Sequence, residues 1–309
     1  MIANNADYSR LITILLGEMS MRSRVIFTYA LPFLLILPLS MSTAAGEICR
    51  NILVDGFYNK YSRIDARVRD RVMYAELCSL DFEQARNAIK RARQSGDDGS
   101  LGLSYGLFNL DDLGPGGSAN GGKGGKGTSN LPLTEDRFRQ WKAGYCSKVS
   151  EPDSSQAAEF FMQKAAMENA DSGKTVEGWA ACMRKREGLV CDASPQAKSG
   201  EDATLNINWT GPASGQSQAQ PEVGYSFLTR GAVSKFDGAP PKRILPDSYK
   251  LKAGAMQIPI TRPADTPVFA NLKVNYGKTE QSCKVFIPGD RDFMLSEPFV
   301  NRMKLRYPG

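Results

Sequence analysis

Six cysteines and the complete absence of histidine set the chemistry open to this chain. Cys49, Cys78, Cys146, Cys182, Cys191 and Cys283 form an even set, and none of the 309 residues is a histidine. Without an imidazole there is no Ser-His-Asp or Cys-His hydrolysis and no histidine-ligated zinc. The cysteines show no CxxC spacing, so thiolate metal sites lack their usual signature and neither a metal nor a cofactor is expected. Structural disulfides are the expected use of all six. Only Cys283 lies in the C-terminal third, so it must reach back, and Cys191 at the junction is its natural partner. Sequence proximity then predicts Cys49 with Cys78 and Cys146 with Cys182, with Cys182–Cys191 as a local rival.

Carboxylates are the remaining groups able to run acid–base chemistry, as in glycoside hydrolysis. Glu135-Asp136, Glu201-Asp202, Asp97-Asp98 and Asp111-Asp112 are adjacent pairs. Adjacent side chains on a helix or strand diverge, so a working pair would come from separate segments. No catalytic residue is therefore assigned. Ser-x-x-Lys is absent after the apolar leader, and the GxGxxG match at Gly122–Gly127 lies inside a glycine run without the βαβ context it needs.

One cationic pattern has helical spacing. Arg63, Arg67 and Arg71 recur every four residues, and Arg86 and Lys90 repeat that spacing further on. These five are a candidate surface for an anionic glycan or lipid headgroup. Interleaved Asp65, Asp70, Glu76, Asp81 and Glu83 favour a salt-bridged, solvated face instead. Trp209, Tyr225, Phe227 and Tyr276 are candidates for stacking on sugars, although the alternation of Trp209 with Leu205 and Ile207 points it to a core. Phe160, Phe161, Met162, Met167 and Trp179 read as core packing over a membrane-active helix. Asn208-Trp209-Thr210 is a glycosylation sequon.

The elements that must position these groups fall into zones. Arg22 and Arg24 precede the apolar run Val25–Leu39 and the small residues Ser42–Gly46, the layout of a secretory signal cleaved near Ala45 and starting at Met21. The run is about 15 residues, short of the roughly 20 that a membrane span needs. Residues 1–45 are thus expected to be an upstream extension and signal, residues 46–195 a helical domain, and residues 200–309 a small β-domain. Within the helical domain, residues 96–130 form a glycine-rich loop with twelve glycines from Gly96 to Gly127. Periodicity predicts helices over Glu47–Gln94, with Ile48, Ile52 and Leu53 on one face and a break with an N-cap near Ser79-Leu80-Asp81. Further helices start at Thr134, at Asp153 or Ser154, and at about Thr175, the last stopping at Gly188. From Asp202 the period becomes two, with strands at Thr204–Thr210, Val223–Thr229, Ala255–Thr261, Val268–Tyr276 and Ser282–Ile287, and a turn at Asn275–Lys278.

The expected fold is α+β: a disulfide-linked helical domain followed by a small antiparallel β-sandwich-like domain. The net charge of +6 is modest for this length and does not call for nucleic acid. The expected function is that of a secreted or periplasmic, disulfide-stabilised, non-enzymatic binding or structural protein with a protein or glycan ligand and no stable membrane span after signal cleavage. A histidine-free, carboxylate-dependent glycan hydrolase is the first alternative, and it requires a cleft holding a carboxylate of raised pKa. A membrane-perturbing secreted factor is the second.

Overall fold

The computed structural model describes residues 42–95, 133–168, 173–196, 202–211 and 220–294. The apolar run Val25–Leu39, expected from sequence to be a secretory signal, and the glycine-rich segment 96–130, expected to be a loop, lie outside them. Residues from Ser42 onward belong to one compact unit, and the fold is α+β. Among the described residues six α-helices come first: α1 (Ser42–Asn59), α2 (Ala66–Ser79), α3 (Phe82–Ser95), α4 (Glu135–Tyr145), α5 (Glu151–Met167) and α6 (Gly173–Arg184). Seven strands follow: β1 (Gly188–Pro195), β2 (Asp202–Thr210), β3 (Glu222–Leu228), β4 (Val233–Ser234), β5 (Gly254–Thr261), β6 (Val268–Tyr276) and β7 (Thr279–Ile287).

Local chemistry explains the helix starts. The Asp65 carboxylate accepts from the Arg67 N–H at 2.9 Å and opens α2. At the predicted break, Asp81 and Gln84 cap α3 reciprocally: the Gln84 N–H donates to Asp81 Oδ1 (2.8 Å) and the Asp81 N–H to Gln84 Oε1 (3.1 Å). Thr134 caps α4 as expected. Helix α5 starts earlier than expected, because the Ser150 hydroxyl accepts from the Asp153 N–H and Pro152 sits in the first turn, where a missing N–H costs nothing. The buried face of α1 is also different. Cys49, Leu53, Val54, Phe57 and Tyr58 line it, while Ile48 is 64% exposed.

The strands form two antiparallel sheets, ordered β1-β2-β5-β4 and β3-β6-β7. That is the strand order of an immunoglobulin constant-type sandwich. Alternation puts Leu205, Ile207 and Trp209 of β2, Ile258 and Ile260 of β5, and Ala270, Leu272 and Val274 of β6 into the buried core. Gly277 closes the β6–β7 hairpin with φ 60°, a conformation glycine adopts without Cβ strain. Strand β1 departs from the sequence reading, which began the strands at Asp202. Its burial does not alternate, since helix α5 packs on it and erases the period of two.

The disulfides are Cys49–Cys182, Cys78–Cys146 and Cys191–Cys283, with no cysteine free. The last is the pairing expected. The other two overturn the expected Cys49–Cys78 and Cys146–Cys182 pairs and the Cys182–Cys191 rival. The reason is packing: α1 lies along α6, which brings Cys49 to Cys182 across 133 residues of sequence. Cys146, the C-cap of α4, meets Cys78 near the end of α2. Closing loops of this length stabilises the folded state by about 4–5 kcal/mol each in the chain-entropy model.

A polar latch ties the helices to the end of the sandwich. The Arg71 guanidinium of α2 donates to the Gly289 carbonyl (2.7 Å) and the Asp292 carbonyl (3.2 Å), and it stacks over the Phe161 ring at 4.1 Å. Asp292 Oδ2 accepts from the Gly289 N–H at 2.7 Å. A Cβ on Gly289 would meet the Asp265 carbonyl oxygen at 2.8 Å, backbone that cannot swing aside. Arg71→Ala is expected to lower stability by about 2–3 kcal/mol through two charge-assisted hydrogen bonds and the ring contact, and Gly289→Ala is expected to act in the same direction. Urea denaturation of the oxidised protein measures both, and a loss below about 0.5 kcal/mol for Arg71→Ala would mean that the latch contributes nothing.

Candidate functional site

Helix α5 is the wall that the helices and the sandwich share. It packs on α1 and α2 from one side and against β1 and β7 from the other. Strands β1 and β7 are edge strands of the two sheets, and α5 satisfies their outward backbone with side-chain amides. Gln156 accepts the Phe286 N–H at 2.6 Å and donates to the Lys284 carbonyl at 3.0 Å, which reproduces strand pairing. Gln163 donates to the Ala193 carbonyl at 3.1 Å.

Beside this seam lies a cleft of about 580 Å³, within the size range of small-molecule sites. Glu47 and Arg50 of α1, Glu159 and Gln163 of α5, and Trp179 and Met183 of α6 line one side. Arg186, Asp192 of β1 and the β7 residues Val285 and Phe286 line the other. Cys49–Cys182 pins α1 to α6 and Cys191–Cys283 pins β1 to β7, so four of the walls are held by covalent links.

Arg50 organises the charge. Its guanidinium stands between Glu76 (3.7 Å) and Glu159 (3.6 Å). Glu76 is 1% exposed and accepts from the Tyr58 hydroxyl at 3.4 Å. Both ion-pair distances exceed hydrogen-bond length, and Arg50 Nε and Nη2 have no hydrogen-bond partner among the described residues. Burial pushes the Glu159 carboxyl up to about 7, against the pull of Arg50 and with a further push from Asp192. Burial likewise raises Asp192 to about 6, opposed by the hydrogen bond from Asn206 (2.6 Å) and by Arg184. Two occluded polar atoms of lining residues also have no hydrogen-bond partner among the described residues: Gln163 Oε1 and Trp179 Nε1. No group of three or more Cys, Asp or Glu side chains there is placed to hold a metal ion.

The residues proposed from sequence are distributed differently. Arg71 faces inward to the latch, and Arg86 pairs with Glu83 at 2.6 Å. Arg63, Arg67 and Lys90 are exposed. The five cations are therefore not brought together around one cavity. Trp209 is buried against Tyr276 at 5.1 Å between ring centres. Tyr225, Phe227 and Phe269 are partly exposed on the β3-β6-β7 sheet, with the Arg243 guanidinium 5.1 Å from the Tyr225 ring. Phe160, Phe161, Met162 and Trp179 are buried, as the core reading required, whereas Met167 is exposed. Asn208 of the sequon is 8% exposed, and its amide donates to the Arg184 carbonyl and Thr210 Oγ1. Of the adjacent acid pairs, Glu135-Asp136 lies on α4 and is absent from the cleft lining, while Asp97-Asp98, Asp111-Asp112 and Glu201 lie outside the described residues. Glu159 and Asp192 come from separate segments, α5 and β1.

No family model, no curated protein and no solved structure matches this chain. Among the described residues no helix is long and apolar enough to cross a membrane.

The raised carboxyls give a pH signature. Each binds a proton more tightly in the folded state than in the unfolded chain, so its stabilising effect is full below the unfolded pKa and fades as pH rises through the folded one. Stability should increase as pH falls from 8 to 5, by on the order of 2 kcal/mol from Glu159. Glu159→Gln should flatten that part of the profile. Urea midpoints at pH 8, 6.5 and 5 for both proteins check this, and parallel profiles would refute the assignment.

Proposed function

We propose that this chain is an exported, secreted or periplasmic binding protein that takes its ligand in the cleft between α1, α5, α6 and the strands β1 and β7. The observation that carries this reading is the cleft itself: a concave site of about 580 Å³ whose walls are fixed by two disulfides and whose lining mixes apolar side chains with a few charged ones. Three disulfides using every cysteine fit an oxidising compartment. The helices α1–α6 and the sandwich strands β1–β7 are read as two halves that build one site. Preformed, cross-linked walls suit binding, because little ordering entropy remains to be lost when the ligand arrives.

A carboxylate-dependent glycan hydrolase is favoured by one observation, the pair Glu159 and Asp192 with raised pKa values in one cleft. Against it, burial lifts both acids, whereas acid and nucleophile roles need environments that drive the two apart.

Titration of the isotopically labelled protein with soluble oligosaccharides and short peptides separates the readings. Binding predicts saturable shifts at the Gln163 side-chain amide and the Trp179 indole N–H, with the ligand recovered intact. Time-dependent release of shorter saccharides, lost in Glu159→Gln, would establish the hydrolase instead. Shifts confined to the exposed Tyr225–Phe227 face would contradict the cleft as the site.

A further inference from the structure

The sandwich leaves one stretch of sheet edge open among the described residues, while its other edges are covered. Helix α5 meets β1 with Gln163 and β7 with Gln156. The segment after β4 covers β3. There the Val223 and Leu228 N–H groups donate to the Tyr249 and Lys242 carbonyls, and Arg243 donates to the Ser226 carbonyl at 2.6 Å. The remaining edge belongs to β4 and β5. Strand β4 is two residues long and pairs with Thr261 and Ile260 alone. Just beyond it the Lys235 N–H donates to the Pro259 carbonyl at 2.9 Å, which identifies the side of β5 that faces β4. Alternation turns the N–H and C=O of Gln257 and Ala255 to that same side. These four groups have no backbone partner among the described residues, and both residues are exposed.

A second feature lies behind this edge. An opening of about 290 Å³ between the two sheets is lined by Ile207, Trp209, Tyr249, Leu251 and Met256. Met256 stands between Ala255 and Gln257, on the side of β5 that buries Ile258 and Ile260, yet it is only partly buried itself. Free backbone at the edge therefore adjoins unfilled apolar space in the sandwich interior. Sheets usually block such an edge with proline, an inward charge or a covering segment. Pro259 does so further along, but residues 254–257 carry neither a proline nor a charge. A lipid chain or a sugar ring could fill the opening without matching alternating N–H and C=O groups. An extended polypeptide matches both, because its backbone pairs with the edge while every second side chain enters the opening. Of the lining residues only Lys252 is charged; it is exposed and makes no ion pair among the described residues. A carboxylate on the incoming segment complements it.

We infer that the β5 edge at Gly254–Ile258 receives an extended segment of a partner polypeptide. Its alternate apolar side chains enter the opening beside Met256, and an acidic residue lies near Lys252. This surface shares no lining residue with the cleft and the inference does not rest on it.

The test is amide hydrogen exchange of the oxidised protein with synthetic peptides that alternate threonine with valine, leucine or phenylalanine and end in aspartate. In the free protein the Ala255 and Gln257 amides should exchange like exposed amides. Saturating peptide should slow both by at least tenfold. Peptides N-methylated at alternate backbone amides keep their side chains and should bind about tenfold more weakly, the value of one hydrogen bond. Gln257→Pro removes an edge N–H that β2 does not use, so it should leave the urea midpoint near that of the parent protein and weaken the peptide by a similar factor. Equal binding of the methylated peptides would show that the opening takes apolar groups without strand addition, and would overturn the inference. Protection of both amides without peptide would mean that the edge is already occupied. A concentration-dependent size would then assign it to a second copy and a constant size to the chain itself, and either result overturns a partner strand. No protection by any peptide would overturn it as well. Saccharide-induced shifts at Trp179 bear on the cleft alone, so the two readings fail separately.

Discussion

The docking of α5 across two sheet edges is the interaction on which the rest of the structure depends. A two-sheet sandwich leaves the outward N–H and C=O groups of its edge strands unmatched, and here β1 and β7 are two such edges lying side by side. Gln156 and Gln163 satisfy part of that backbone from a helix. Gln281 adds to the seam by accepting the Leu189 N–H at 2.8 Å. The Cys191–Cys283 bond then links the two edges beneath the helix. A helix cannot lie flush along two twisted strands over its whole length, and the space left beside α5 is the cleft.

Polar groups in that seam constrain what the cleft can do. Glu76 is buried and depends on Arg50 and the Tyr58 hydroxyl for its partners. Replacing one member of such a set leaves a buried charge behind, which is more damaging than the set is stabilising. Arg50 is therefore held in place by the core and presented to the cleft at once. Glu159 is the member left with an incomplete partner. Its side chain is 20% exposed, enough to exchange protons with solvent and too little to be hydrated like a surface acid. The site's chemistry follows from that intermediate position.

Much of the fold was legible in the sequence, and the misses have physical causes. Strands β2, β5 and β6 alternate because one face meets the sandwich core, whereas β3 loses the period at its bulge and β7 at the buried run Val285–Ile287. The caps at Asp81 and Thr134 were legible because the side chain and its backbone target are three residues apart. Strand β1 has no period of two because α5 packs on it, and Ser150 caps α5 upstream of Asp153 and Ser154, the starts that the sequence suggests. Two disulfides were misassigned because the approach of α1 to α6 is a tertiary fact with no local signature. The cleft was illegible for the same reason: Arg50, Glu76, Glu159 and Asp192 are single residues on separate elements with no shared spacing. The arginine stripe did have spacing, yet Arg71 serves the latch and Arg86 a local pair. Only the general requirement for distant carboxylates in a cleft could have been stated beforehand.

The most direct test of α5 as the shared wall is amide hydrogen exchange at Phe286 in the oxidised protein. Its N–H points out of an edge strand and is held by Gln156 alone. The account predicts protection comparable to the central-strand amides of β6, since release requires α5 to leave the sandwich. Exchange of Phe286 at the rate of an exposed edge amide, with β6 still protected, would contradict it.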